Sequence, residues 1–146
     1  MKRLSDGRHN TLGIIVCDVD GLKSINDTLG HQSGDQVLIN TADILRQSFR
    51  SSDIIARIGG DEFAILLTDT DPEMVEVMLL RLRQAVQDFN NTEPEVPVSL
   101  SMGHALGEGA TAEMQALFRE ADNQMYLEKI QRSTIGPIKR PCQGKR

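Results

Sequence analysis

The chain has 146 residues and a formal net charge of −5, with 39% hydrophobic, 25% charged and only 3% aromatic residues. A chain of this length predicts one globular domain, and no stretch approaches the roughly 18 consecutive apolar residues that a membrane span requires. Four basic residues and no acid lie from position 134 onward, so residues 1–133 carry a charge of about −9. Such an acidic body with so few aromatic residues argues against nucleic acid as the main partner.

The first half of the chain predicts a buried strand, a helical region and a hairpin. The nearly continuous apolar run Leu12–Cys17 predicts a strand covered on both faces. An irregular helical stretch over residues 22–29 is broken by glycines, and a clear helix follows from Asp35 to about Phe49. Strands at residues 53–58 and 62–67 flank a Gly-Gly turn, which predicts a β-hairpin. The apolar face of the clear helix comprises Val37, Leu38, Ala42, Leu45 and Phe49.

The second half predicts two helices around one strand. Asp71 and Pro72 supply an N-cap acid and a proline at the first position of a helix that runs to about Phe89. Residues 96–105 predict a strand, and residues 111–131 predict an amphipathic helix. This order predicts an α+β fold of ferredoxin-like type, a two-layer sandwich whose helices cover one face of a mixed central sheet. The inner face of the first of these helices is expected to carry Met74, Val77, Met78, Leu82 and Val86.

The end of the chain and the cysteines bear on domain limits and compartment. We expect one domain over residues 1–133, followed by a basic flexible tail or linker at 134–146, because glycine and proline recur there. No secretory signal pattern is visible at the N-terminus. Cys17 lies in an apolar run and Cys142 in the polar tail, which indicates unpaired thiols and a reducing compartment. The expected location is the cytoplasm, or the cytoplasmic part of a membrane-anchored parent protein.

Two acids directly follow the first strand. Asp18 and Asp20 lie where a buried strand ends, a position at which sheets commonly bind ligands. Carboxylate oxygens suit Mg²⁺, and Mg²⁺ suits phosphates, so this Asp-x-Asp pattern predicts a hard divalent cation. The alternative is that both acids cap the following helix.

The hairpin turn carries a second acidic pair. Gly59 and Gly60 are expected to have positive φ and to let a ligand approach the backbone closely. Asp61 and Glu62 add more acid than a plain turn needs. If the hairpin lies beside the first strand, Asp18 and Asp61 face one another and leave open positions for substrate phosphates. A simple turn with solvated acids is the alternative.

The chain resembles the GGDEF family of diguanylate cyclases in four ordered motifs spread over about residues 12–132. The first two are D-V-D-G-L-K-S-I-N-D-T-L-G-H-Q-S-G-D at residues 18–35 and R-I-G-G-D-E-F at residues 57–63. The later strand and helix motifs are S-M-G-H-A at 101–105 and A-D-N-Q-M-Y-L-E-K at 121–129. The resemblance implies an architecture related to the nucleotidyl cyclase and polymerase palm. It also implies a homodimer that joins two GTP molecules into cyclic di-GMP and releases two pyrophosphates.

The resemblance implies a role for each matching residue. Mg²⁺, with Mn²⁺ as an alternative, would be the cofactor, and Asp61 would also accept the proton of the attacking hydroxyl. A carboxylate that accepts from guanine N1 and its amino group cannot pair with adenine in that way, which would select GTP over ATP. The implied catalytic residues are Asp61, Glu62 and Lys23; the substrate-binding residues are Asn26, Asp35, Gly59, Gly60 and Lys129; the metal ligands are Asp18, the Val19 carbonyl and Asp61.

A second site is implied by Arg50-Ser51-Ser52-Asp53, which matches the family's product-inhibition motif in composition and position. The arginine fork suits the phosphates and guanine edges of cyclic di-GMP, and Asp53 can hold Arg50 in place. Arg81 on the next helix would supplement this site. The alternative is a surface ion pair.

The match departs from the family pattern at both ends. Residues 1–10 are too short for the turn and helix with which the family usually opens. Ser133 stands where the family has a phosphate-contacting arginine, and Arg132 is displaced by one position, about 100° around a helix. Sensor or regulatory domains are expected elsewhere in a parent protein. Two other functions therefore stay open: a non-catalytic module that senses cyclic di-GMP, and a dimerisation element of a larger regulator.

Overall fold

A computed structural model describes residues 11–108 and 113–139 of the chain. The N-terminal segment 1–10 and tail residues 140–146, on which part of the domain prediction rests, lie outside the described residues. No helix in the described ranges is both long and apolar enough to cross a membrane. The elements are β1 (Thr11–Val19), α1 (Leu22–Leu29), α2 (His31–Ser48), β2 (Ile54–Arg57), β3 (Glu62–Thr68), α3 (Pro72–Asn90), β4 (Leu100–Glu108) and α4 (Met114–Lys139).

The strands form one sheet in the order β2–β3–β1–β4, and each neighbouring pair is antiparallel. The predicted α+β class and the β2–β3 hairpin are confirmed. The prediction of a mixed sheet is wrong for the described strands. β1 and β2 do run in the same direction, but β3 lies between them and pairs antiparallel with both.

Helices cover both faces of the sheet, so the prediction of helices on a single face is wrong. Ile15 and Cys17 of β1 face the core that α1, α2 and α3 complete. Ile14 and Val16 point to the opposite face and pack under α4. The physical reason lies in β1 itself, because a strand that is apolar on both faces needs cover on both. The second core cluster consists of Ile14, Val16, Ala105, Leu117, Ala121 and Met125.

A glycine in β4 allows α4 to lie very close to the sheet. A Cβ atom on Gly103 would come within 2.1 Å of the Ala121 carbonyl oxygen. Two α4 side chains also bind the free edge of β4. Glu128 Oε1 accepts from the Met102 N–H at 2.6 Å, and Gln124 Oε1 accepts from the His104 N–H at 3.1 Å. α4 is therefore fixed along β4, and its other side reaches the ends of β1 and β3.

The helix limits differ from the sequence pattern for local reasons. α2 begins at His31 instead of Asp35, and Gly34 lies in its first turn, where the Asn26 side chain packs against it. α3 begins as predicted: Asp71 Oδ1 accepts from the Met74 N–H at 2.7 Å, and proline occupies the first turn. α4 continues to Lys139, past its predicted end at residue 131.

The buried face of α3 and the start of β4 were also predicted inaccurately. Met74 and Val77, which the pattern places on the inner face of α3, are 37% and 46% exposed. β4 begins at Leu100 and not at residue 96, because the Asn90 amide binds both backbone groups of Val98 at 2.9 and 2.8 Å and holds that residue in the connection. The residues of α3 that are buried are Val75, Met78, Leu79 and Leu82.

Candidate active site

The strand register brings three acidic residues together. Asp18 in β1 pairs with Glu62 in β3, and the Val19 N–H donates to the Asp61 carbonyl oxygen at 2.9 Å. The Asp61 carboxyl group is close enough for its charge to raise the pKa of Asp18. The hairpin therefore lies beside the first strand as expected, and its acids meet Asp18 at the ends of the two inner strands.

Asp18 has one carboxylate oxygen engaged and one without a partner. Lys129 Nζ on α4 lies 2.9 Å from Asp18 Oδ2, whereas Oδ1 is buried and receives no hydrogen bond from the described residues. Burial raises the pKa of Asp18 and repulsion from Asp61 adds to the rise, while the Lys129 contact opposes it. Lys129 was expected to contact phosphates. Its ammonium group has three donors, and the contacts described here use one.

An α4 residue that the sequence reasoning missed, Asp122, raises the pKa of Glu62. The Glu62 pKa is raised to about 7 by burial first, then by a hydrogen bond and repulsion from Asp122, with further repulsion from Asp18 and Asp61. Glu62 Oε2 is buried and accepts no hydrogen bond from an N–H or O–H group of the described chain. Asp122 lies seven positions before Lys129, which is two helical turns, so both project from the same side of α4. That spacing was the available signal.

Hydrogen bonds from nearby residues close the Gly-Gly turn, while its outer surface stays exposed. Arg57 donates from Nε to the Gly59 carbonyl at 3.1 Å and from Nη2 to the Gly60 carbonyl at 2.7 Å, and the Gly59 N–H donates to the Glu62 carbonyl at 3.3 Å. The expected positive φ at Gly59 and Gly60 is wrong, because these bonds close the turn with ordinary backbone angles. A Cβ atom on Gly60 would meet nothing within 4 Å, so the outer surface of the turn is free for a ligand.

The second acid of the Asp-x-Asp pattern is already satisfied. Asp20 accepts from the Ser99 and Ser101 hydroxyl groups, each at 2.7 Å, and Arg132 Nη1 lies 3.8 Å from Asp20 Oδ2. Asp18 is therefore the acid of the pair that offers a free oxygen. The helix-capping alternative does not hold, because α1 has a glycine N-cap and no side-chain capping bond.

The residues expected to read guanine lie at the corner between α1 and α2. Asn26 packs against Gly34 so closely that a Cβ there would lie 1.7 Å from Asn26 Oδ1, and this oxygen is buried without a partner in the described chain. Asp35 follows Gly34 directly and is exposed on the first turns of α2. Lys23 is exposed on α1, and none of the hydrogen bonds or ion pairs found in residues 11–108 and 113–139 involves it.

The Arg50–Asp53 motif is a closed ion pair. Asp53 accepts from the Arg50 backbone N–H at 2.8 Å and from guanidinium Nη2 and Nε at 2.8 and 3.2 Å. The Asp53 side chain is fully buried and that of Arg50 is 35% exposed, so this is not the exposed surface pair of the alternative interpretation. Arg50 Nη2 also donates to the Thr68 carbonyl at 3.2 Å. Arg81 is exposed on α3, and no hydrogen bond or ion pair in the described part of the chain joins it to this motif.

The acidic cluster fits a cation that arrives with its substrate. In the part of the chain that the structure describes, no three His, Cys, Asp or Glu side chains form a complete metal site. Asp18 Oδ1 and Glu62 Oε2 are nevertheless buried oxygens without partners. Mg²⁺ usually takes one or two carboxylates and completes its shell with water and substrate phosphates. The donor set present here meets that requirement.

An antiparallel sheet with helices on both faces and acids at the ends of its inner strands defines a domain of the palm-like cyclase class, the fold of its structural neighbours. Residues 1–134 match the family described as "Diguanylate cyclase, GGDEF domain". The chain belongs to the GGDEF family, as the sequence motifs predicted.

Named relatives agree with this assignment. The chain is 36% identical over 120 residues to the probable diguanylate cyclase DgcT of Escherichia coli (strain K12). This match covers 80% of this chain and 26% of that protein. It is 38% identical over 124 residues to the diguanylate cyclase TpbB of Pseudomonas aeruginosa (strain UCBPP-PA14), covering 82% and 28%. The chain thus spans about a quarter of the length of these relatives.

Solved structures show the same fold. The GGDEF domain of TpbB from Pseudomonas aeruginosa is similar with a TM-score of 0.74 and 36% identity, covering 84% of this chain and 78% of that one. The GGDEF domain of DgcB from Caulobacter crescentus, solved in complex with cyclic di-GMP, is similar with a TM-score of 0.73 and 28% identity, covering 84% and 74%.

Proposed function

We propose that this chain is the catalytic domain of a diguanylate cyclase, which condenses two GTP molecules into cyclic di-GMP and two pyrophosphates. The observation that carries the proposal is the meeting of Asp18, Asp61 and Glu62 beside the open Gly59–Gly60 turn. The relatives named as diguanylate cyclases support it.

The acids at the strand ends hold the reacting groups. Asp18, Asp61 and the Val19 carbonyl hold Mg²⁺, for which Mn²⁺ can substitute. This cation, when bound, neutralises the charge of the triphosphate. Asp61 accepts the proton of the attacking 3′-hydroxyl, with Glu62 in support. Asp18 Oδ1 supports this assignment because it is a buried oxygen that no described donor satisfies.

The remaining residues of the site bind and select the nucleotide. The triphosphate lies along Gly59 and Gly60, where the open turn surface leaves room. Lys129 and Lys23 contact phosphates. Asn26 and Asp35 bind the guanine edge, and the unpartnered Asn26 Oδ1 supports this role. ATP would leave these groups unpaired, at a cost of about 1–3 kcal/mol for each buried polar group.

Catalysis takes place between two copies of the chain. Each subunit holds one GTP, and the two subunits meet face to face so that each 3′-hydroxyl attacks the α-phosphate of the other GTP. The chemistry then depends on positioning and charge neutralisation. We place the domain in the cytoplasm, within a longer parent protein whose other domains control the encounter of the two subunits.

Cyclic di-GMP inhibits through the Arg50–Asp53 motif, with Arg81 as a supplement. The Arg50 guanidinium is held by Asp53 but remains 35% exposed, so it can present its free edge to a phosphate. The cyclic di-GMP complex of a structural relative is consistent with product binding to this class of domain.

The test is incubation of a dimeric preparation with GTP and Mg²⁺, followed by chromatographic detection of cyclic di-GMP. Product is expected from the natural chain and from Asp88→Ala, a matched control on the exposed side of α3. Asp61→Ala should give none while it retains its melting temperature. Absence of product from the natural chain overturns the proposal. Calorimetry then separates the alternatives, since binding of cyclic di-GMP alone favours a sensor and binding of neither nucleotide favours a dimerisation element.

A further inference from the structure

Arg57 binds both carbonyl groups of the Gly-Gly turn. It is the last residue of β2, and its guanidinium donates from Nε to the Gly59 carbonyl at 3.1 Å and from Nη2 to the Gly60 carbonyl at 2.7 Å. The side chain is exposed, and none of the ion pairs between described residues includes it. The planar guanidinium therefore serves the backbone of the turn and not a carboxylate.

The direction of these two carbonyls fixes the direction of two N–H groups. A trans peptide is planar, so its C=O and N–H bonds point in opposite directions. The Gly59 carbonyl shares a peptide group with the Gly60 N–H, and the Gly60 carbonyl shares one with the Asp61 N–H. Because Arg57 holds both carbonyls on its own side, both N–H groups point to the other side of the turn. Neither N–H donates to an acceptor within the part of the chain that the structure describes.

The contact between the turn and β1 shows the same rotation of the backbone. Val19 and Asp61 continue the β1–β3 register, and two residues that bond in this way in an antiparallel pair normally exchange both hydrogen bonds. The Val19 N–H donates to the Asp61 carbonyl at 2.9 Å, but the backbone bonds of the described residues do not include the reciprocal bond from the Asp61 N–H. The Arg57 bond to the Gly60 carbonyl replaces it and holds this peptide group turned away from β1.

The two N–H groups lie at an open surface beside acidic side chains. Gly60 is exposed, and a Cβ atom there would meet nothing within 4 Å. Successive N–H groups of a turn make a concave site for anions. Asp61 and Glu62 follow directly in the chain, so a carbonyl oxygen turned toward a triphosphate would add to their repulsion, whereas an N–H group opposes it. The orientation of the two peptide groups therefore bears on phosphate binding.

We propose that Arg57 is a positioning residue for the nucleotide. It holds the Gly59 and Gly60 carbonyls away from the ligand surface, so that the Gly60 and Asp61 N–H groups donate to a phosphate of the triphosphate. This inference rests on the proposed function and assigns donors to the phosphates that lie along the turn. Arg57 acts through the backbone and does not contact the nucleotide, so the effect depends on its planar fork, which lysine does not have.

The first experiment measures binding by calorimetry on the full chain. A GTP analogue with a methylene group between its α- and β-phosphates is titrated with Mg²⁺ present. Arg57→Ala should weaken binding by about 10-fold, the usual effect of losing a hydrogen bond to a charged group. Arg57→Lys restores the charge without the fork and should stay within about 3-fold of Arg57→Ala. Arg46→Ala is the matched control, because it removes an exposed arginine from α2, and it should bind like the natural chain.

Salt separates positioning from simple attraction between charges. The loss in Arg57→Ala, expressed as the ratio of its Kd to that of the natural chain, should persist in about 1 M salt, where exposed charges are screened within about 3 Å. A ratio that falls to about 1 would assign the effect to the charge of Arg57, and so would Arg57→Lys binding within about 3-fold of the natural chain. Either result overturns the inference, as does natural affinity in Arg57→Ala.

The second experiment uses the natural chain and does not depend on how the variants fold. In amide NMR spectra of the isotope-labelled protein, the Gly60 and Asp61 N–H resonances should move downfield when the analogue binds, because both become donors to phosphate. The Gly59 N–H is the internal control, since it already donates to the Glu62 carbonyl at 3.3 Å and should move less. Equal shifts at the three positions overturn the inference. A natural chain that does not bind the analogue overturns the proposed function itself.

Discussion

Replacement of Gly34 by alanine should separate nucleotide recognition from folding. In the structure, the added Cβ would lie 1.7 Å from Asn26 Oδ1 and 2.8 Å from its Cγ. These atoms belong to the end of a side chain, and Oδ1 accepts no hydrogen bond from the described residues. Asn26 is therefore expected to rotate away from α2 without breaking an internal bond.

The expected changes in stability nearly cancel. Alanine in place of glycine inside a helix stabilises by about 1 kcal/mol, and displacement of a packed side chain costs a similar amount, about 1 kcal/mol. The free energy of unfolding should stay within about 1 kcal/mol of the natural value. Binding should change more, because loss of the hydrogen bonds from Asn26 to guanine costs about 1–2 kcal/mol, roughly 5- to 30-fold in Kd.

The assay combines urea unfolding with calorimetric binding of the methylene GTP analogue. Asn26→Ala should weaken binding as much as Gly34→Ala, and the double variant should show no further loss, since both changes remove the same contact. In the Asn26→Ala background, Gly34→Ala should stabilise the fold by about 1 kcal/mol, because the obstructing side chain is gone. Natural affinity in Gly34→Ala, or a loss of stability above about 3 kcal/mol, would refute the reasoning.

Three further predictions concern stability and pH. Gly103→Ala should lower the free energy of unfolding by about 3 kcal/mol, because its Cβ would meet a backbone oxygen of α4 at 2.1 Å. Gly60→Ala, whose Cβ meets nothing within 4 Å, should unfold in urea like the natural chain and yet bind the GTP analogue more weakly. Equal stabilities of the two variants would contradict this prediction. Asp53→Ala should cost about 2–4 kcal/mol in urea unfolding, because it removes a fully buried carboxylate and leaves Arg50 unpaired; a loss below about 1 kcal/mol would show that the pair contributes little. The pKa of Glu62, raised from 4.5 to about 7, means that the folded chain binds this proton more tightly than the unfolded chain. The associated stability is present below the ordinary pKa and is lost as the pH rises through about 7. In EDTA, Glu62→Gln should therefore flatten the fall in unfolding free energy between about pH 5 and pH 8 by on the order of 1 kcal/mol after allowance for solvent screening; an unchanged slope would assign the fall to other groups.

The predictable features of this protein are those encoded by neighbouring residues. The continuous apolar run of β1 predicted burial on both faces, and the glycine pair between two strand patterns predicted the hairpin, which the register confirms. The Asp71 and Pro72 pair predicted the start of α3 in the same way. Where a local signal was ambiguous, prediction failed: Met74 and Val77 fit the apolar period of α3, but packing buries the neighbouring row of residues instead.

The sequence by itself determined the family, the elements and the identity of the candidate acids, because motifs, caps and turns depend on residues close together in the chain. The tertiary structure alone decided which partners those acids have. Lys129 lies 111 positions from Asp18 and yet binds it, because Gly103 lets α4 settle closely on the second face of the sheet. The spacing of apolar residues along α4 does not indicate which face of the sheet the helix will cover, since that choice depends on packing across the whole core. Hence α4, the last helix in the described part of the chain, holds the first acid of the site through Lys129.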